Sequence, residues 1–395
     1  MINFSITGKS EVGDGTILVR GHDIRDVVSE FTLEASIFYQ ILGNLPSDKE
    51  RKNLQYALIH SETQIPETRC SSFTKTAEAF VPSLDDLVEK NQFFPEDINL
   101  LIPLLHNFPA IAAQYSEVPE NHLSPETFEQ YIFTTMLGRM PDKGEERMIQ
   151  AYLVSLCEHA DTSPSTPGAQ IVANLRGSFY QSALTFMLAA KTPSHFGALP
   201  KAMNYLDELL ENRNNLKEHL TGILSRPYPE NIIPGFGHRY HKTLDGLTVG
   251  ANERRRRAEL IDPRVDVLVE IADEIGIHGN YIDVLRETGE ILYDLKKLPI
   301  NIDGVGSAIL KEIGFPSETA MAFVYMGRLP MIARYHLEQQ KEKPNTLWRP
   351  IKSGRRTISK TFPNGIAETA IPTIKQDGSL ARVEEVPYET TEEPA

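Results

Sequence analysis

The stretch DPRVDVLVEIADEI, residues 262–275, holds a complete helix start. Asp262 offers an oxygen to orphan backbone donors, and Pro263 has the fixed φ of a first helical position. Val265, Leu268, Ala272 and Ile275 then recur on one face. This reading decides the fold class because the same grammar repeats along the chain. Ser47 to Glu50 (SDKE) fits a capping box ahead of Leu54 and Leu58. Ser124-Pro125-Glu126 is expected to open a helix with the stripe Phe128, Ile132 and Met136, and Glu145 to Cys157 continues through Ile149, Tyr152, Leu153 and Leu156. A later helix takes Ser317 as its cap and carries Arg328 inside an apolar run, with Pro330 expected to kink it. Strand signals are few: TILVR, with NFSIT before it, and RRTISKTF near the C-terminus. The expected class is mainly α with small β elements near the termini. Residues 84–125 read as short helices on the body, and 375–395 as a glutamate-rich surface or mobile tail.

Composition narrows the function. The chain has 395 residues, 41% of them hydrophobic, enough for a sizeable core. Its formal charge is -14, from 40 basic and 54 acidic residues, which speaks against a broad nucleic-acid surface and for small ligands. Cys70 and Cys157 stand in neither a CxxC nor a ligand-cluster spacing, which suits a reducing compartment and disfavours structural zinc. The start MINFSITGKSEVGDG lacks the pattern of a signal peptide, and no apolar run is long enough to cross a bilayer, so a cytoplasmic protein is expected.

Several segments could carry chemistry. In IIPGFGHRYHK (232–242), Gly235 and Gly237 free the backbone around Phe236 to turn sharply, setting His238 at the turn's end. Taken alone, that histidine reads equally as a structural turn residue. A metal site on His238 and His241 lacks a third ligand at sensible spacing. Arg264, at a helix start, reads either as a fork for a carboxylate or phosphate or as an exposed arginine. Arg254, Arg255, Arg256 and Arg257 read as a solvated face or as contacts to a phosphate-bearing cosubstrate. In LPINIDGVG (298–306), Asp303 is either a turn former or a carboxylate made more basic by a dry site. Arg328, among apolar residues, needs an anionic partner.

These pieces in this order resemble the citrate synthase family, with GFGH (235–238), DPR (262–264), NIDGVG (301–306) and MGR (326–328) in succession. The opening GDGTILVRGHDIRDVVSEF is similar to the family's first strands and helices. TPSHFGALPKA (192–202) and CEHADTSPST (157–166) stand where the family has two further histidines, and WRP (348–350) where it has an arginine that reaches the partner subunit's site. The resemblance implies a two-domain helical fold: a large domain from 1–197 and 315–374, a small domain from 198–314 that closes over the site, and a tail from 375. It implies a homodimer with shared sites, no membrane or nucleic-acid partner, and no permanently bound cofactor or metal, acetyl-CoA and CoA serving as cosubstrate and product.

The implied chemistry joins acetyl-CoA, or a short acyl-CoA, to oxaloacetate, giving citrate or 2-methylcitrate and CoA, a step of the tricarboxylic acid cycle. Asp303 is then the base, His195 the enol stabiliser and His238 the residue that polarises the keto carbonyl. His159, Arg264, Arg328 and the partner's Arg349 bind carboxylates, and Arg254 to Arg257 the coenzyme A phosphates. The chain departs from the pattern around His195, where Phe196 and Leu199-Pro200 replace glycines, in an insertion over 243–261, and at Pro330. Two alternatives stay open: a lyase cleaving citryl-CoA, and a non-catalytic relative that binds ligand without turnover.

Overall fold

The computed structural model describes residues 9–64, 69–86, 96–119, 121–159, 163–193, 195–242 and 257–344. NFSIT and RRTISKTF lie outside them. The chain opens with an antiparallel sheet of β1 (Glu11–Gly13), β2 (Thr16–Val19) and β3 (His22–Asp23). Asp14-Gly15 makes the first turn, with Gly15 at a φ of 68° that suits glycine, and the register sets Val12 opposite Ile17. Ile17 and Val19 point into the core, as period-2 alternation requires. Asp23 ends the sheet and caps the helix Ile24–Glu30 by accepting the Arg25 N–H.

All else with regular structure among the described residues is helical. The capping box at Ser47 and Glu50 forms as the sequence predicts, and a second one, Asp142 with Glu145, opens Lys143–Ser155. Two predicted starts are corrected. The helix after Ser124 is capped by Thr127, whose hydroxyl accepts the Gln130 N–H, and spans Phe128–Leu137. Ser317 opens a short 3-10 turn, Ser317–Thr319, and its hydroxyl meets Glu318 instead of capping the helix that follows.

That following helix, Ala320–Lys341, is the centre of the molecule. It is buried on every side from Ala320 to Arg334, the signature of a helix surrounded by others. Around it pack Leu33–Leu42, Ile102–Ala113, Lys143–Ser155, Ser165–Asn174 and Phe179–Ala190. Gly327 permits the closest approach: a Cβ there would lie 2.6 Å from Leu156 Cβ. Pro330 sits inside this helix, which continues through it to Lys341.

A second group of helices, Ala198–Glu211, Asn280–Lys296 and Ile302–Ile313, packs together, with Pro263–Ile275 bridging to Lys143–Ser155 and Ile24–Glu30. Residues Met1–Glu342 form one unit. Among the described residues no helix is long and apolar enough to cross a membrane.

Candidate active site

The site grows from a close encounter between two glycine-bearing segments. Gly235 and Gly237 take φ values of +89° and +80°, conformations that strain any other residue. They let the backbone around Phe236 lie against Pro299 to Asn301: the Gly237 N–H donates to Pro299 O at 2.7 Å, and the Asn301 N–H to Gly235 O at 3.1 Å. Asn301 then works three ways. Its Oδ1 caps the helix Ile302–Ile313 by accepting the N–H groups of Asp303 and Gly304, and its Nδ2 donates to Gly237 O at 2.8 Å. Gly304 admits this contact, since a Cβ there would stand 2.3 Å from Gly235 O. The turn bearing His238 and the helix start bearing Asp303 are thereby held as one piece.

The hydrogen bonds fix the tautomer of His238. Its Nδ1 accepts the N–H groups of Tyr240 and His241, both at 3.1 Å, so the ring's proton resides on Nε2. Burial pushes its pKa down to about 3, with Asp262 opposing and Arg264 assisting. His238 is therefore a neutral donor at neutral pH. His159 packs edge-on, 5.4 Å away between ring centroids. Burial, then Arg264 and Arg328, hold it well below the ordinary histidine range.

His195 comes from the turn before Ala198–Glu211. Its Nε2 lies 3.0 Å from the hydroxyls of both Ser163 and Ser165, and burial followed by Arg328 pushes its pKa down to about 4. Phe196, which replaces glycine in the family pattern, packs against His195 with ring centroids 4.4 Å apart and planes tilted by 33°, and carries the Arg328 guanidinium 5.1 Å above its ring. The departure thus supplies a platform between two site residues.

Arg264 and Arg328 are each 1% exposed. Arg264 forks onto Asp262, Nε to Oδ1 at 3.0 Å and Nη2 to Oδ2 at 2.7 Å. Burial works to raise Asp262, yet Arg264, with His241 and His238, holds its carboxyl below the usual carboxylate range. Among the described residues Arg264 Nη1 has no hydrogen-bond partner, nor have Nε and Nη1 of Arg328. Burial, then Arg264, pushes Arg328 down to about 9, still protonated at neutral pH. Asp303 moves the other way: burial raises it to about 7 although Arg264 and Arg328 pull against the shift.

The fold brings together His159, His195, His238, Arg264, Asp303 and Arg328 from widely separated segments. Arg254, Arg255, Arg256 and Arg349 lie outside the described residues. Arg257 opens the short helix Arg257–Leu260, and its side chain is likewise outside them. Sequence reasoning missed four contributors: Asn301, Phe196, the serine pair and His241. Asn301 was within reach, since an Asn one position before a helix is a cap signal. The others depend on tertiary contacts.

The expectation that His238 and His241 lack a third metal ligand is corrected. His159, His238 and His241 each offer a ring nitrogen, all within 4.8 Å of one another. The hydrogen bonds nevertheless suit this cluster to an anion. Nδ1 of His241 accepts the Gly15 N–H as Nδ1 of His238 accepts its own donors, so both rings carry the proton on Nε2 and offer no lone pair there. Two buried guanidiniums beside the cluster further disfavour a cation.

Comparison with known proteins finds similarity at two levels, sequence and fold. The family model described as citrate synthase, C-terminal domain, matches residues 3–351. A citrate synthase of Saccharolobus solfataricus is 23% identical over 351 residues, covering 85% of this chain and 89% of that protein. The crystal structure of citrate synthase from Thermotoga maritima superposes with a TM-score of 0.66 at 20% identity, covering 91% of this chain and 92% of that one. Citrate synthase from Thermoplasma acidophilum, solved as a ternary complex with carboxymethyl coenzyme A and oxaloacetate, superposes with a TM-score of 0.62 at 16% identity, covering 95% and 96%.

Proposed function

The chain belongs to the citrate synthase family, as an enzyme of that condensing, acyltransferase type, and we propose that it condenses acetyl-CoA, or another short acyl-CoA, with oxaloacetate. The observation that carries this reading is the pair of buried guanidiniums. Arg264 Nη1 and Arg328 Nε and Nη1 have no partner in the described protein, and they stand beside neutral imidazoles and one carboxyl of raised pKa. A buried guanidinium N–H without an acceptor is costly, and a dicarboxylate would supply acceptors for these groups. The partner subunit's Arg349 would complete the clamp in a homodimer.

The residues then divide the chemistry. Asp303, ionised near neutral pH, takes a proton from the α-carbon of the acyl thioester. With a serine hydroxyl donating to Nε2 of His195, that ring keeps its proton on Nδ1 and donates it in a hydrogen bond to the thioester oxygen as the enol forms. The enol carbon attacks the keto carbon of oxaloacetate, forming the new C–C bond. His238 Nε2–H polarises the keto oxygen and passes its proton to the resulting alkoxide, and the proton that Asp303 took from the α-carbon returns to His238, leaving both groups as they began. Water then cleaves the C–S bond, releasing the CoA thiol and the tricarboxylate. Closure of the small domain, residues 198–314, over the rest would exclude water during condensation.

The test is thiol release from a panel of acyl-CoAs with oxaloacetate and other keto acids, with citryl-CoA cleavage run in parallel. Condensation predicts thiol release that requires both substrates. Cleavage of citryl-CoA without net condensation would support the lyase, and keto-acid binding without turnover the non-catalytic relative.

A further inference from the structure

Among the described residues, the unpartnered buried donors at the site are Arg264 Nη1, Arg328 Nε and Nη1, and His241 Nε2. The arginines resemble family motifs, but His241 has no assigned role. It is 0% exposed. Its Nδ1 accepts the Gly15 N–H at 3.1 Å, from the turn between β1 and β2, which leaves the proton on Nε2. The ring stacks on His238 with centroids 4.4 Å apart and planes 22° from parallel, and stands edge-on to His159 at 6.3 Å. Two carboxylates influence His241 through their charge: Asp262 is engaged with Arg264 through both of its oxygens, and Asp14 accepts the Lys242 N–H at 2.7 Å. A buried N–H with no acceptor opposes folding unless something else binds it. The same is true of the guanidinium N–H groups beside it, and every one of these groups is a donor.

We propose that His241 is a further substrate-binding residue: its Nε2–H donates to a carboxylate oxygen of the α-keto acid, beside the keto oxygen held by His238. The stacked rings each carry a proton on Nε2, and ring nitrogens of the three histidines lie within 4.8 Å of one another; an α-keto acid carries adjacent acceptors on its keto and carboxylate carbons. This rests on the keto-acid reading above. The competing role is purely structural, with His241 serving only to anchor its turn to Gly15.

Two substitutions separate these roles in the full-length protein. His241→Asn keeps an acceptor near the position of Nδ1 for the Gly15 N–H and removes the Nε2 donor, whereas His241→Gln places an amide donor near Nε2 and gives up the Gly15 contact. Oxaloacetate binding by calorimetry, KM for each substrate and thermal unfolding are measured for both. We expect His241→Asn to raise the oxaloacetate Kd and KM by about tenfold or more, with KM for acetyl-CoA and the melting temperature unchanged, and His241→Gln to return within about threefold of wild type. Wild-type affinity in His241→Asn, or a larger loss in His241→Gln than in His241→Asn, overturns the proposal and leaves the keto-acid reading standing. A wild-type protein that binds no keto acid overturns both.

Discussion

Replacing Asp303 by Asn separates the free energy of holding a carboxyl in this site from its use in catalysis. Burial raises the Asp303 pKa from 3.8 to about 7 in the folded chain. Between those values the folded state binds the proton and the unfolded state has released it, so the contribution of Asp303 to stability is fully present below pH 3.8 and falls as pH rises towards 7. At 1.36 kcal/mol per pH unit the deficit grows to about 1.7 kcal/mol at pH 5 and about 4 kcal/mol at pH 7, and levels off above pH 8. The Asn variant has no titrating group there. Its stability relative to wild type should therefore rise by about 2.5 kcal/mol between pH 5 and pH 8, whatever fixed offset the amide introduces. Urea unfolding of both proteins at equal concentration, at intervals across that range, measures the difference directly. The same variant should lose turnover while still binding oxaloacetate, and wild-type kcat/KM should climb with pH, reach half its plateau near pH 7 and level off above about pH 8. A stability difference that is flat with pH would refute the argument that Asp303 is held protonated by its surroundings, and undiminished turnover would remove it as the base.

Arg328→Met should abolish measurable oxaloacetate binding and yet leave the free protein as stable as wild type or up to about 4 kcal/mol more so, because a buried guanidinium with Nε and Nη1 unsatisfied is replaced by an apolar chain; a marked loss of stability without ligand would mean that its attraction to Glu158 and Asp303 outweighs the cost of burying it. Gly304→Ala should cost roughly 3 kcal/mol or more and disable turnover, since the added Cβ would meet Gly235 O at 2.3 Å and the His238 turn must shift. Near-wild-type melting and activity would show that the two segments are not held together as described. Mixing an Arg349→Ala chain with an Asp303→Asn chain should recover part of the activity through hybrid dimers with one intact site. No recovery despite verified subunit exchange would count against a shared site.

Much of the architecture could be read locally. The caps at Ser47 and Asp262 and the β2 alternation are short-range effects, and each stands where side-chain chemistry places it. The two misplaced helix starts share a cause. A Ser, Pro or Glu can begin a helix at several adjacent positions, and the choice fell to whichever side chain found a backbone donor: Thr127 in one case, and no side chain in the other, where a 3-10 turn leads in. The site was legible as residue types in order, because glycine at positive φ and aspartate at a helix start are local demands. How the imidazoles are protonated was not. The proton positions on His238 and His241 follow from backbone N–H groups, one of them contributed by Gly15 at the far end of the chain. The burial of Arg264 was similarly hidden, although its partner Asp262 is two residues away.

The placement of the helix Ala320–Lys341 bears on how the protein is made. The helices that surround it, beginning with Leu33–Leu42, all precede it in the chain and leave the ribosome first. Until Ala320 to Arg334 emerges, the faces they turn toward it stay uncovered, so closing the core waits for a late part of the chain. A message truncated before codon 320 would yield a collapsed chain for proteases, while one ending after Lys341 would already contain every described element of the fold.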